Sequence, residues 1–259
     1  MQNVTHYPLV VFIISFVVLW LAALFGRYFL RRQRMPNKEM RDDFSIILTA
    51  TLTLLGLIIG FSFSMSTERY DMRRNFEEAE ANAIGTEFVR SELLPADDAN
   101  KLQGLLRSYL DQRIAFYQAH NDEELQPVNT RTTEVENELW AAIRGPAVAQ
   151  PTPVTALAVS GLNDVLNSQG YTQAGFWNRI PVGAWGLLGA IAIGCNLMVG
   201  YLSRSTASGS RLLPILPLLV AIAFMFIADI DAPRHGIIRV KPLNLMSLAK
   251  SLDPNRPAP

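Results

Sequence analysis

The stretch Phe44-Ser-Ile-Ile-Leu-Thr-Ala-Thr-Leu-Thr-Leu-Leu-Gly-Leu-Ile-Ile-Gly-Phe-Ser-Phe63 has the length and apolarity of a membrane span, yet no stop signal closes it. It runs on as Ser64-Met-Ser-Thr-Glu-Arg-Tyr-Asp-Met-Arg-Arg-Asn-Phe-Glu-Glu-Ala-Glu-Ala-Asn-Ala83, with no proline or turn pair between. A hydrocarbon core of roughly 30 Å takes about 20 apolar residues in a helix. Residues 44–66 supply that length, and residues 67–83 are rich in good helix formers. One continuous helix is therefore expected to carry a span and a charged stalk.

Working outward, three more apolar runs are expected to span, giving four in all: 8–29, 44–66, 183–202 and 212–228. The fourth holds Pro214 and Pro217 near its start. The first is not a cleavable signal, because its basic residues follow the apolar run instead of preceding it. It reads as an anchor with its N-terminus outside. The expected organisation is a first transmembrane pair over 1–66, a helical extramembrane domain over 67–181, a second pair over 182–228, and a C-terminal motif with a disordered tail over 229–259. The fold class is an all-α integral membrane protein, two spans plus two, with the second helix extending into the extramembrane domain.

The 259 residues carry 23 basic and 23 acidic side chains, a formal net charge of zero, which offers no electrostatic footprint for nucleic acid. Arg27, Arg31, Arg32, Arg34, Lys38 and Arg41 crowd the first short loop around Met35-Pro-Asn, so the positive-inside rule favours that loop in the cytoplasm. Arg69, Arg73, Arg74, Arg234, Arg239 and Lys241 weigh on the opposite side.

The middle segment is expected to be helical. A helix from Thr67 ends at Leu94-Pro95, and Asp97 or Asp98 caps the next, with Leu102, Leu105, Leu106, Tyr109, Leu110 and Ile114 on one face. Thr132 or Thr133 opens another, with Val135, Leu139, Ala142 and Ile143, ending at Gly145-Pro146. Pro153–Ser168 makes a further helix, with Gly170 beyond its end. No period-two alternation suggests strands.

No enzyme site emerges. His6, His120 and His235 lie far apart, and neither a zinc motif, a phosphate loop nor a nucleophile elbow is present. The single cysteine, Cys195, lies in the third run and reads as a small apolar residue. No cofactor or metal is expected.

The second span carries two adjoining stripes. Gly56, Gly60 and Ser64 recur every four residues, a spacing that lets another helix approach closely. Beside them run Thr53, Leu57 and Phe61, which in a symmetric oligomer could line a central path with an apolar constriction. From spacing alone, packing within a four-helix bundle is the commoner use of both stripes. Gly186, Ala190 and Gly194 repeat the small-residue pattern in the third span, where packing is expected. Asp229 and Asp231, two carboxylates at a membrane boundary, need partners, and Arg69, Arg73 or Arg239 could supply them.

These residues bring a family into view. The second span with its charged extension, Glu80-Ala-Asn82-Ala-Ile-Gly85, and the tail pattern Asp229-x-Asp231-x-Pro233-x-x-Gly236-x-Ile-x-Val resemble the bestrophin-like bacterial membrane proteins, a domain of unknown function. More distantly the chain is similar to the bestrophins, pentameric anion channels with an apolar neck on the second span. Their signature, Gly-Phe followed by Arg and an aromatic nine and ten residues after the glycine, is matched by Gly60-Phe61 and Arg69-Tyr70. The resemblance implies a neck at Thr53, Leu57 and Phe61, a homo-oligomer (a pentamer by analogy), inorganic ions as cargo, and a bacterial inner membrane location. It also implies a cytosolic middle domain, opposite to the charge rule. Thr53 departs from the large apolar residue of the bestrophin neck, and the acidic run of the animal calcium clasp is missing. Two readings result: an oligomeric anion channel in the lipid bilayer, or a non-conducting membrane scaffold or sensor whose helical domain binds a protein partner.

Overall fold

A computed structural model describes residues 7–30, 38–203 and 211–253. Among these all regular structure is helical. The helices are α1 (Pro8–Phe25), α2 (Lys38–Arg90), α3 (Ala96–Gln118), α4 (Asp122–Ala149), α5 (Pro153–Trp177), α6 (Val182–Leu202), α7 (Ile215–Asp231) and α8 (Leu243–Leu252). The turn expected at 35–37, residues 204–210 between the third and fourth expected spans, and residues 254–259 of the tail lie outside the described residues.

The chain forms two compact units, one from residues 1–69 and 179–239, the other from residues 70–178 and 240–259. The stretch expected to pass from span to stalk is indeed one helix, α2, of 53 residues.

In the first unit, α1, α6 and α7 pack around Leu19, Leu188, Ala192, Cys195, Phe224 and Ala228. Glycine lets α1 and α6 touch through their backbones. A Cβ on Gly26 would collide with the carbonyl of Leu197, and one on Gly200 with the carbonyl of Ala23. Helix α1 widens into a π-helical turn at Gly26–Leu30, at the same close approach. Helix α2 joins this cluster through Leu48, Leu52, Leu55, Ile58 and Ile59. Only 6% of its apolar stretch is buried, against 28% for α1, so most of its circumference has no partner among the described residues.

Among the described residues three stretches are long and apolar enough to cross a membrane: Pro8–Leu30, one within Asp42–Leu93 and one within Pro153–Leu202. The fourth expected span, 212–228, is helix α7, and its 17 residues fall short of that length. At 1.5 Å per residue it is about 25 Å long. Pro214 at its N-cap holds back the start that the apolar run suggests.

In the second unit the stalk half of α2 packs with α3, α4, α5 and α8 around Ile84, Leu102, Leu106, Leu110, Leu139 and Leu162. The faces expected from periodicity are inward, Leu105 only partly so. Several helix ends differ from expectation. Helix α3 is capped by Pro95, with Asp97 and Asp98 in its first turn, where they favour the helix dipole. Helix α4 starts ten residues before Thr132. Its N-cap Asn121 accepts the Glu124 N–H at 2.8 Å, and the Glu124 carboxylate accepts the His120 N–H at 2.8 Å. It then runs through Pro127 and past Gly145-Pro146 to Ala149. Helix α5 continues beyond Ser168 and Gly170 to Trp177. Its last turns carry Phe176, which meets Phe116 and Tyr117 edge-on at 5.0 and 5.6 Å, a gain that outweighs one exposed glycine. Residues 243–252, for which no element was expected between the tail motif and the end of the chain, form α8, with Leu245 and Ala249 buried.

Candidate functional site

The face of α2 that carries the two stripes is bare in the single chain. Thr53, Leu57 and Phe61 are exposed, the last two at 52% and 62%. Gly56, Gly60 and Ser64 are exposed beside them, and a Cβ on either glycine would meet no atom within 4 Å. The hydroxyl of Thr53 donates to the Thr49 carbonyl at 2.9 Å, and that of Thr49 to the Ser45 carbonyl at 2.8 Å. Their protons are satisfied within the helix, so what these threonines turn outward is acceptor lone pairs and a methyl group. Gly186 and Ala190 on α6 are likewise exposed, and Gly194 is half-buried with open space where a Cβ would stand. The close glycine contacts between α1 and α6 lie at Gly26 and Gly200, which spacing did not single out.

The tail motif resolves into two carboxylate clamps that use backbone amides. Asp229 accepts the backbone N–H groups of Ile237 at 2.7 Å and Ile238 at 2.9 Å. Asp231 accepts the N–H of Ile180 at 3.1 Å and lies 3.5 Å from Arg179 Nε. Backbone amides hold both carboxylates, and Arg179 lies beside Asp231. Gly236 is required because a Cβ there would run into the carbonyl of Asp229. Pro233 stands in the turn, half-buried.

The Glu80-to-Gly85 motif faces the interior of the second unit. Glu80 is fully buried and takes Arg113 Nε, Thr172 Oγ1 at 3.1 Å and Tyr117 OH at 3.4 Å. The Arg113 guanidinium also stacks over the Phe116 ring at 4.3 Å. Burial alone would lower the Arg113 pKa, but the Glu80 carboxylate reverses this and the net shift is upward. Gly85 sits 3.1 Å, measured from a built Cβ, from Leu248 of α8. Asn82 is exposed in an open groove between α2 and α8, together with Thr86, Arg90, Asn244 and Ser247. Arg69 and Tyr70 are half-buried at the join of the two units' sequences, and Tyr70 packs against the core of the second.

Two further glutamates on α2 are buried: Glu77, which lies in the stretch read as a charged stalk, and Glu87, which the sequence did not single out. Glu77 accepts Asn244 N at 2.8 Å, Asn244 Nδ2 at 2.6 Å and Leu245 N at 2.9 Å, so its carboxylate sits on the N-terminus of α8. Glu87 has both oxygens buried without a hydrogen bond, against Gly161. Burial pushes its pKa up to about 8, with Arg90 opposing and Asp164 adding to the shift. Among the described residues no group of three or more His, Cys, Asp or Glu could hold a metal ion.

Comparison with known proteins places this architecture. No curated protein matches the sequence. Crystal structures of a bacterial bestrophin homolog from Klebsiella pneumoniae share the fold. One point variant is 14% identical, with 94% of this chain and 96% of that chain covered and a TM-score of 0.62. A second is 12% identical over 96% and 97%, with a TM-score of 0.63. A further structure of that homolog gives 12%, 93% and 96%, and 0.62. The Bestrophin-like domain family model matches residues 10–245, which takes in the span-and-stalk helix and both Asp clamps. With nearly its whole length so matched, this chain belongs to the bestrophin-like family of membrane proteins.

Proposed function

We propose that this chain is one subunit of a homo-oligomeric ion channel of the bacterial inner membrane, conducting anions, with Thr53, Leu57 and Phe61 as its neck. The observation that carries the reading is the bare face of α2: a span with threonine, glycine and large apolar residues turned outward and no partner among the described residues. Such a face is completed by copies of itself around an axis, Gly56, Gly60 and Ser64 giving the close helix approach and the neighbouring stripe facing the path. Rings of Leu57 and Phe61 then form an apolar constriction that controls ion passage by dewetting, while Thr53 keeps its own level wet. The analogy with bestrophins favours five subunits and a cytosolic helical unit. Helix α7 completes a fourth crossing, helped by the apolar residues Leu212 and Leu213 ahead of Pro214.

Halide flux into liposomes holding purified protein, wild type beside Phe61→Ala, tests this. A conducting pore with Phe61 at its neck gives flux that rises, or changes halide preference, in the variant. Absence of flux from both proteins returns the face to helix packing. It would then favour the scaffold reading, for which the groove beside the motif residue Asn82 is the feature to probe.

A further inference from the structure

The turn that follows α7 is built with more care than a connection needs. Asp229 lies within the last turns of the helix, and its carboxylate takes the N–H groups of Ile237 and Ile238. The chain therefore folds back until these two isoleucines stand level with the end of the helix instead of beyond it. Gly236 permits the fold by lying against the Asp229 carbonyl. Arg239 Nη1 donates to the Arg234 carbonyl at 3.4 Å, and His235 stacks edge-on against Tyr7 at 5.0 Å. The product of this bonding is an isoleucine, Ile237, left 90% exposed, with Ile238 38% exposed behind it.

The surroundings of Ile237 point to its occupant. Helix α7, which leads into the turn, carries Leu218, Leu219 and Phe226 outward along its length. Tyr7, half-exposed at the start of α1 and stacked on the same turn, is of the residue type that collects at headgroup level. The Asp229 carboxylate is engaged by two backbone amides, and Arg239 stands half-buried in the same turn.

We propose that this Asp229-clamped turn is a membrane-interface anchor: it inserts Ile237 into the boundary between headgroups and acyl chains and fixes the depth of α7. The inference rests on α7 being a membrane span, so the test carries a separate control for that. Full-length protein lacking Cys195 (Cys195→Ala) is given a nitroxide at Ile237→Cys or at Leu219→Cys, in phosphatidylethanolamine–phosphatidylglycerol liposomes. Collision with oxygen, which prefers lipid, is compared with collision with a water-soluble nickel chelate. The anchor gives an oxygen-dominated signal at both sites, shallower at 237 by a severalfold change in the ratio. Nickel access at 237 with lipid access at 219 overturns the anchor alone. Access of neither reagent at 237 overturns it in favour of a second copy covering the turn. Nickel access at 219 removes the span and the anchor together. Asp229→Ala should mobilise the label at 237 and leave that at 219 unchanged, and equal mobility at both sites also overturns the proposal.

Discussion

The two halves of α2 obey opposite rules. From Tyr70 to Arg90 the helix buries Glu77, Glu80, Ile84 and Glu87 in its own chain, and two of the three carboxylates are held by three donors each. From Phe44 to Met65 it buries little beyond Leu55 and Ser62, and its threonines bond only to their own helix. One half is therefore a finished fold, and the other is a surface that needs something from outside the chain. Substitutions in the stalk half should register as lost folding, and those in the span half as lost assembly.

The largest expected effect lies at Glu80. Removing one partner of a buried ion pair strands the other, which costs ~3–5 kcal/mol. Glu80→Ala should therefore unfold the second unit at markedly lower temperature, read by circular dichroism. A melt unchanged from wild type would break the contrast between the halves.

Glu87 gives a smaller and pH-dependent effect. Its carboxyl has an ordinary value of 4.5 and is pushed up to about 8 in the fold. Between those values the folded state holds a proton that the unfolded chain releases, so stability is fully present below pH 4.5 and falls as pH rises through 8. Thermal melts from pH 5 to pH 9 should show that decline, and Glu87→Gln should flatten it. A decline of equal slope in the variant would assign the effect elsewhere.

The smallest effect on the subunit's own fold is expected at Gly60. A leucine there meets open space, so subunit unfolding should move by no more than ~1 kcal/mol, the range of helix propensity. Size-exclusion chromatography should nevertheless report loss of the oligomer. Gly200→Leu sharpens the comparison, since the same side chain is driven into the Ala23 carbonyl and should prevent folding of the first unit.

Much of this was legible in the sequence for plain reasons. The continuous α2 follows from an apolar run passing into helix formers without a breaker, and the inward faces of α3 and α4 follow from 3.6-residue spacing. The start of α4 was readable too: Asn121 with Glu124 three residues on is a capping box, overlooked beside the later threonines. Other features have no local signal. Helix α5 outlasts Gly170 because Thr172 and Phe176 find partners on α2 and α3. The clamps of Asp229 and Asp231 use backbone amides, which every residue but proline carries, so no arrangement of arginines could reveal them. Glu77 and Glu87 look like solvated stalk charges until α8 and α5 are laid against them.

The seat of α8 on Glu77 bears on how this gene tolerates damage. A premature stop codon just after Val240 looks harmless on a map, since it spares every expected span and both Asp clamps. It would take away the Asn244 and Leu245 donors of the Glu77 carboxylate and uncover the apolar surface beneath Leu245 and Ala249. The cell's quality-control proteases would meet a sticky, half-closed bundle, so such an allele should behave as a null with little protein in the membrane, and not as a mild truncation.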